Sequence, residues 1–314
     1  MRKRYFERRT VDSAIRLVDR CLYGEVPPSA LDAFLCRLID PRYQQAVEDE
    51  EARAVRTEQN LFMQLVLHVL DNHPLSVRNA DTLDLRRLVW RHAGIRCDDW
   101  ERLEIRAGVR FDSPTGGNLA YFNPANIFFL TGGQRVIMTG LRRPTYIDGS
   151  GQVIVYGGLV CASGVNIFTH DHAVRDTERP LGLAHGGLVR SNTILYPDIF
   201  VGEDAFVFGR LDLRTMVLAK SVTRLKVRHP PYTMLGGIGA QFGVKEEMPV
   251  PRPFPPSYLL EMATQVKSFS PLHGAHLENY MALVGEYLVG GQKDWPDYLA
   301  EIRKLEARLL GEGD

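Results

Sequence analysis

The sequence predicts a mainly β protein, a parallel β-helix of hexapeptide coils, with α-helical regions at both ends. Three observations predict it. Apolar residues recur every six positions through the middle of the chain. Small or β-branched residues stand four places after them. Helical apolar spacing flanks this zone on either side.

Residues 1–93 read as an α-helical region. In Val11-Asp12-Ser13-Ala14-Ile15-Arg16-Leu17-Val18 the apolar positions share one helix face. Leu61 to Leu70 is a strongly apolar helical run that stops near Pro74. Glu48-Asp49-Glu50-Glu51 reads as a solvated helix start, where acidic side chains meet the positive end of the helix dipole.

Residues 94–244 carry the ladder. Ile105 and Phe111 are six apart and mark a first coil. Irregular turns follow: Phe129 and Leu141 keep the phase and Arg135 breaks it. Ile147, Val153, Leu159 and Val165 are then spaced by six, and the run closes on Thr169-His170-Asp171-His172. The ladder resumes with Val189, Leu195, Val201, Val207, Leu213, Ala219 and Leu225. The fourth residues after the anchors are Gly151, Gly157, Ser163 and Thr169, then Thr193, Ile199, Ala205, Leu211, Val217 and Thr223, nearly all small or β-branched, as tight corners favour. In a chain that is 45% apolar, an all-apolar ladder of this length arises by chance on the order of once in a thousand, after allowing for the choice of phase. Strands of an ordinary sandwich would alternate by two instead.

Residues 245–314 begin with a proline-rich connector, Met248 to Pro256, and return to helical spacing at Tyr298, Ile302, Leu305 and Leu309. Such helices pack on a neighbour or cap an open coil end.

The composition excludes several classes. The 314 residues include 38 basic and 38 acidic ones, so no global charge selects nucleic acid. The start, Met1-Arg2-Lys3-Arg4-Tyr5, lacks an apolar core and argues against a secretory signal. No run of ~18 apolar residues predicts a membrane span. Cys21, Cys36, Cys97 and Cys161 form no CxxC, which suggests free thiols in a reducing cytoplasm and no zinc site. No phosphate loop of the GxxxxGK[ST] type is present.

Three passages, spread over roughly residues 94–242, resemble the left-handed β-helix, or hexapeptide-repeat, acyltransferases. The galactoside, maltose and nodulation-type O-acetyltransferases are the most similar. The first passage is Val165-Asn166-Ile167-Phe168-Thr169-His170-Asp171-His172, followed by Glu178-Arg179 and Gly182-Leu183. The second is the ladder from Val189 to Leu225, including Val201-Gly202-Glu203-Asp204-Ala205. The third is Pro230-Pro231-Tyr232-Thr233-Met234-Leu235-Gly236-Gly237, similar to the family's exit from the coil. The sequence departs from the family where Leu195-Tyr196, Val207-Phe208 and Leu213-Arg214 lack its Gly or Asp, and where Leu225 to His229 delay the prolines.

The resemblance implies a left-handed coil, a homotrimer, and transfer of an acetyl or other acyl group from acyl-CoA to a hydroxyl of a saccharide or small molecule. It places His172 in the role of general base, a role imidazole suits because it is mostly neutral at pH 7. His170 and Asp148 stand beside it as supporting groups, Asp148 near the family's acceptor-orienting aspartate. Alternation along a strand puts His170 and His172 on one face and Asp171 on the other. For the donor the resemblance indicates Ala219, Lys220, Ser221, Thr223, Lys226, Gly236 and Gly237, and Arg228 is a further candidate for CoA phosphates. No metal is expected: His170, His172 and His185 lack the spacing of the β-helical carbonic anhydrases. Two other readings stay open, an N-acyltransferase acting on an amino sugar and a non-catalytic trimeric scaffold with helical arms.

Overall fold

The computed structural model describes residues 5–44, 50–75, 81–111, 122–174, 185–224, 227–237, 243–247, 256–288 and 294–312. Leu225, Lys226 and the connector from 248 to 255 lie outside them. Four helices come first: α1 (Arg8–Leu22), α2 (Pro28–Leu38), α3 (Glu50–Asn72) and α4 (Asp81–Ala93). Glu50 and Glu51 occupy the first turn of α3, as an acidic helix start should.

The chain then winds round three parallel sheets in rotation. The first coil is β1 (Arg96–Cys97), β2 (Leu103–Ile105) and β3 (Val109–Phe111). The second is β4 (Ile127–Leu130), β5 (Val136–Met138) and β6 (Thr145–Ile147). The third is β7 (Val153–Tyr156), β8 (Leu159–Cys161) and β9 (Asn166–Phe168). An antiparallel pair, β10 (His170–Val174) and β11 (His185–Arg190), projects before the coil resumes. The fourth coil is β12 (Thr193–Leu195), β13 (Phe200–Val201) and β14 (Phe206–Phe208). A shorter fifth follows, with β15 (Arg210–Leu211) and β16 (Met216–Val217). β17 (Thr233–Gly236) and an antiparallel β18 (Gly243–Glu247) close the second sheet.

The interior explains the six-residue period and corrects its phase. Each side of the triangle turns two side chains inward, at i and i+2. Val153 and Val155, Leu159 and Cys161, and Val165 and Ile167 are all buried in this way. Thr193 stacks on Val153 and Leu195 on Val155. The second ladder's Leu195, Val201 and Val207 therefore continue the column of Val155, Cys161 and Ile167, not that of the first ladder's anchors. Three anticipated anchors fail. Leu141 is 51% exposed in a turn, and Val189 is 46% exposed on β11. Ala219 is exposed at a corner, because the fifth coil is shorter and stacks Leu211 on Leu195 and Val217 on Val201. Leu213 is buried, but outside the coil under the C-terminal helices. Arg135 breaks the ladder because the turn ahead of β5, through Gly132 and Gly133, is longer.

Two of the three corners are built from left-handed residues. Gly158, Asp198, Arg214 and Tyr232 line one corner with positive φ, and Gly164, Asp204 and Lys220 line the next. Backbone bonds tie each column coil to coil, for example Asp198 N–H to Gly157 O (3.1 Å) and Lys220 N–H to Glu203 O (2.8 Å).

The two helical regions do different jobs. The N-terminal helices cover the open end of the first coil, and their core runs unbroken into its interior. Trp90 meets Phe111 edge-on at 5.3 Å and tilts against Phe129 at 6.4 Å. Side chains satisfy the unpaired strand edge: Arg87 Nε donates to Leu103 O (2.8 Å), Gln64 to Phe111 O, and Gly108 N–H donates to Asp71 (3.1 Å). The C-terminal α5 (Pro256–Phe269), α6 (Pro271–Leu288) and α7 (Trp295–Leu310) do not cap an end. They pack sideways on the outer face of the first sheet, over Leu130, Ile154, Tyr156, Ile194 and Tyr196. That face is apolar on both sides, so a second core is needed to cover it.

Candidate active site at the third corner

The third corner joins β6, β9 and β14 to the first sheet, and there the regularity breaks. It opens at Asp148-Gly149-Ser150-Gly151, a run of short side chains that favours a tight turn. Asp148 accepts from Ser150 N–H (3.0 Å) and Ser150 Oγ (2.6 Å), turning the chain on its own carboxylate. One coil further on, Thr169 ends β9 directly above. Its N–H donates to Asp148 Oδ2 (3.0 Å), and its hydroxyl lies 2.9 Å from Asp148 O and 3.1 Å from Oδ2. Gly151 N–H donates to Thr169 Oγ1 (2.8 Å). A Cβ on Gly151 would stand 1.8 Å from Ser191 O, so only glycine fits this corner.

Here β10 and β11 leave the coil. Ser191 N–H donates to Thr169 O (2.7 Å), which closes the coil across the base of the excursion. His170 is the first residue out. Its Nδ1 is 2.5 Å from Asp148 Oδ2, and both side chains are buried. Phe168 stands edge-on to the His170 ring at 6.1 Å and stacks with Phe206 (6.0 Å) and Phe208 (5.0 Å). Burial alone would push the Asp148 carboxyl up. The hydrogen bonds from His170, Ser150 and Thr169 outweigh it and hold the carboxyl below its usual range. A carboxylate on Nδ1 selects the tautomer whose lone pair is on Nε2, the form that takes up a proton.

Asp148 therefore does not project toward an acceptor. Its lone pairs are spent inside the chain, on His170 above all. His172 lies two residues further along β10, its backbone opposite Leu188, with Asp171 opposite Val189. The side chains of His172, Asp171 and His185 fall outside the described residues. Sequence reasoning named Asp148 and His170 but missed their contact and missed Ser150. The Asp-x-Ser spacing of an Asx turn was the available signal.

Of the donor candidates, Ala219 and Lys220 lie at the other edge of the third sheet, about 10 Å of strand away. Ala219 and Lys220 are exposed at that corner, Lys220 in the left-handed conformation with φ 59°. Ser221 and Thr223 are buried: Gly237 N–H donates to Ser221 Oγ (3.3 Å), and Thr223 Oγ1 bonds Phe208 N–H (2.7 Å) and O (2.9 Å). Gly236 is buried in β17, paired with Gly243. Lys226 lies outside the described residues.

Arg228 is not available to phosphates. It grips Asp212 with two nitrogens (2.6 and 2.7 Å) and Glu306 with a third (2.7 Å), beneath α7. Tyr280 (2.9 Å) and Tyr298 (3.1 Å) donate to the same Asp212, and Tyr196 (2.9 Å) and Arg210 (3.1 Å) to Glu306. The neighbouring carboxylates hold the Arg228 guanidinium charged despite burial. All four cysteines are free thiols, and burial pushes those of Cys97 and Cys161 up. No helix among the described residues is long and apolar enough to cross a membrane.

No protein-family model and no curated protein matches this chain. The solved structures it is similar to include hexapeptide-repeat acetyltransferases and related acyltransferases. A maltose O-acetyltransferase from Clostridium difficile is 14% identical with a TM-score of 0.43, over 60% of this chain and 84% of that one. A hexapeptide-repeat acetyltransferase from Vibrio cholerae is 14% identical with a TM-score of 0.38, over 66% and 100%. An N-acyltransferase from Bacillus cereus, solved with dTDP and coenzyme A, is 12% identical with a TM-score of 0.29, over 45% and 80%.

Proposed function

We propose that this chain is an acyltransferase that moves an acyl group from acyl-CoA to a hydroxyl of a saccharide or small molecule. The observation that carries the reading is the buried Asp148–His170 pair at the corner where β10 and β11 leave the coil. It anchors the root of β10, the strand that carries His172. In this reading His172 removes the acceptor's hydroxyl proton as the oxygen attacks the thioester carbonyl. A backbone N–H of the coil wall holds the oxyanion. Collapse breaks the C–S bond, and the CoA thiolate takes the proton from the imidazolium. His170, fixed by Asp148, is a positioning residue.

The donor would approach along the third sheet from Ala219 and Lys220, with Ser221, Thr223, Gly236 and Gly237 shaping the wall. We assign the coil the left hand of the acyltransferases it resembles, and a cytoplasmic, homotrimeric state. Exposed Val160, Phe200 and Phe206 on outer strand faces are consistent with self-association.

One observation favours a second assignment within the same reaction. The imidazole that holds an orienting carboxylate is His170, as a general base would. Release of CoA from acetyl-CoA, followed over a panel of saccharide and other hydroxyl acceptors, separates the two. His172→Ala is expected to lose ~10²–10⁴ in turnover while His170→Asn loses much less. The reverse order transfers the base to His170. Unchanged turnover in both variants sinks the site, and an amino-sugar acceptor preferred over every hydroxyl would make the enzyme an N-acyltransferase.

A further inference from the structure

We propose that Asp32, Cys36 and His92 form a zinc site that ties α2 to α4, on the helical cap and apart from the third corner. Asp32 and Cys36 are four residues apart and share one face of α2. His92 stands in the last turn of α4. Its Nε2 lies 2.7 Å from Asp32 Oδ1 and 4.0 Å from Cys36 Sγ. The three donor atoms lie within 4.8 Å of one another. Tetrahedral zinc, with bonds of ~2.0 Å to nitrogen and oxygen and ~2.3 Å to sulfur, sets its donors ~3.3–3.6 Å apart. A small rotation of the exposed Cys36 side chain and a slight retreat of Asp32 reach that spacing.

The geometry distinguishes a metal site from a thiol nucleophile. In a Cys-His-Asp relay the thiol and the carboxylate take opposite ring nitrogens. Here both approach the same Nε2, as groups do when they converge on a point. The local field also suits a cation: the last turns of α2 and α4 both meet at the site, and each is the negative end of a helix dipole. The donors are one sulfur, one nitrogen and one oxygen. That set suits zinc and not magnesium or calcium, which take oxygen. Three protein ligands leave a fourth position for water, and Cys36 opens the site to solvent. One cation already competes: Arg91 Nη2 is 3.1 Å from Asp32 Oδ1. Its side chain is 54% exposed and can turn outward. Binding is redox-neutral. The Cys36 thiol gives its proton to solvent, His92 binds as neutral imidazole through Nε2, and Asp32 binds as carboxylate.

The spacing of the cysteines alone gave no such sign, because Cys36 and His92 are 56 residues apart and meet only through helix packing. The test titrates cobalt(II), then zinc, into the chelator-treated full-length protein. One equivalent of cobalt is expected to give thiolate-to-metal absorption with tetrahedral visible bands, both removed by zinc. Cys36→Ser is expected to lose the thiolate absorption at unchanged far-UV circular dichroism, and Cys21→Ser to keep it. Zinc is expected to raise the melting temperature of the parent and not of Cys36→Ser. Absence of the thiolate absorption at one equivalent, or its survival in Cys36→Ser, overturns the proposal.

Discussion

Replacing Asp148 by asparagine tests whether the third corner is held by charge. The substitution keeps the shape and removes one acceptor. Oδ1 accepts from Ser150 N–H (3.0 Å) and Oγ (2.6 Å), while Oδ2 faces Thr169 N–H (3.0 Å) and His170 Nδ1 (2.5 Å). An amide has one oxygen, so either orientation points its NH₂ at a backbone donor that cannot turn. With the oxygen on the Oδ2 side, Ser150 N–H is stranded and its hydroxyl must reverse. With the oxygen on the Oδ1 side, Thr169 N–H and His170 lose their acceptor. Hydrogen bonds to a charged group contribute ~1.5–3 kcal/mol, and a stranded buried donor costs ~1–3. Relief of the buried charge offsets part of this, so the expected loss is about 2–4 kcal/mol. Urea unfolding of both proteins at pH 7 measures it. A difference below ~0.5 kcal/mol, the level of an ordinary surface change, would refute the reasoning.

The same pair has a pH signature with a definite sign. The Asp148 pKa is lowered by folding, so its contribution is present above the unfolded value of 3.8 and is lost as pH falls through the folded one. The part of the gap between parent and Asp148→Asn that the carboxylate's own ionisation supplies should therefore be present at pH 7 and be lost as pH falls below about 4.

Two further outcomes concern the C-terminal helices. Arg228→Leu leaves Asp212 buried with only tyrosine hydroxyls, and should cost about 3–5 kcal/mol, seen as easier proteolysis within α7; adding Asp212→Asn should recover part of it, and a purely additive double variant would refute the coupling. Burial pushes His273 and His276 down to about 4, from an ordinary 6.5. Their neutral forms are favoured by folding, so stability should fall as pH drops from 7 through 5, by about 2 kcal/mol for each at pH 5. Faster amide exchange in α6 at pH 5 than at pH 7, corrected for intrinsic rates and flattened by His276→Asn, is the expected reading.

The coil was legible in the sequence because its two inward positions per side are mostly apolar, with an occasional threonine such as Thr145 or Thr193, and recur with the corners. Its register was not. Val155 and Leu195 stack although the anchors on either side of the excursion belong to different inward positions, and no local pattern reports such a slip. Past Val207 the fifth coil shortens and spaces its apolar residues differently, so Leu213 reads as an anchor while serving another core. Asp148 and His170 were visible as residue types, but their contact depends on two coils lying one above the other. The role of Arg228 was hidden for the same reason. Its partner Glu306 comes from a helix far along the chain, and a lone arginine beside a basic edge resembles a phosphate ligand until that helix is in place.

The location of the excursion follows from the corners themselves. From the third coil onward, left-handed residues stack in columns at two of them and backbone bonds pass from coil to coil, while the longer turns before β5 and β6 lie in the second coil, ahead of those columns. The third corner is turned by the Asp148 carboxylate and by Thr169, whose side chains reach across two coils. At the third corner the side-chain staple stays intact across the insertion, and the coil closes beneath it through Ser191 N–H to Thr169 O. The groups that permit the excursion are the ones that fix its first residue, His170. In the proposed function, chemistry at this corner is tied to the stability of the coil, and weakening the staple should displace β10 and its histidines before it unwinds the strands.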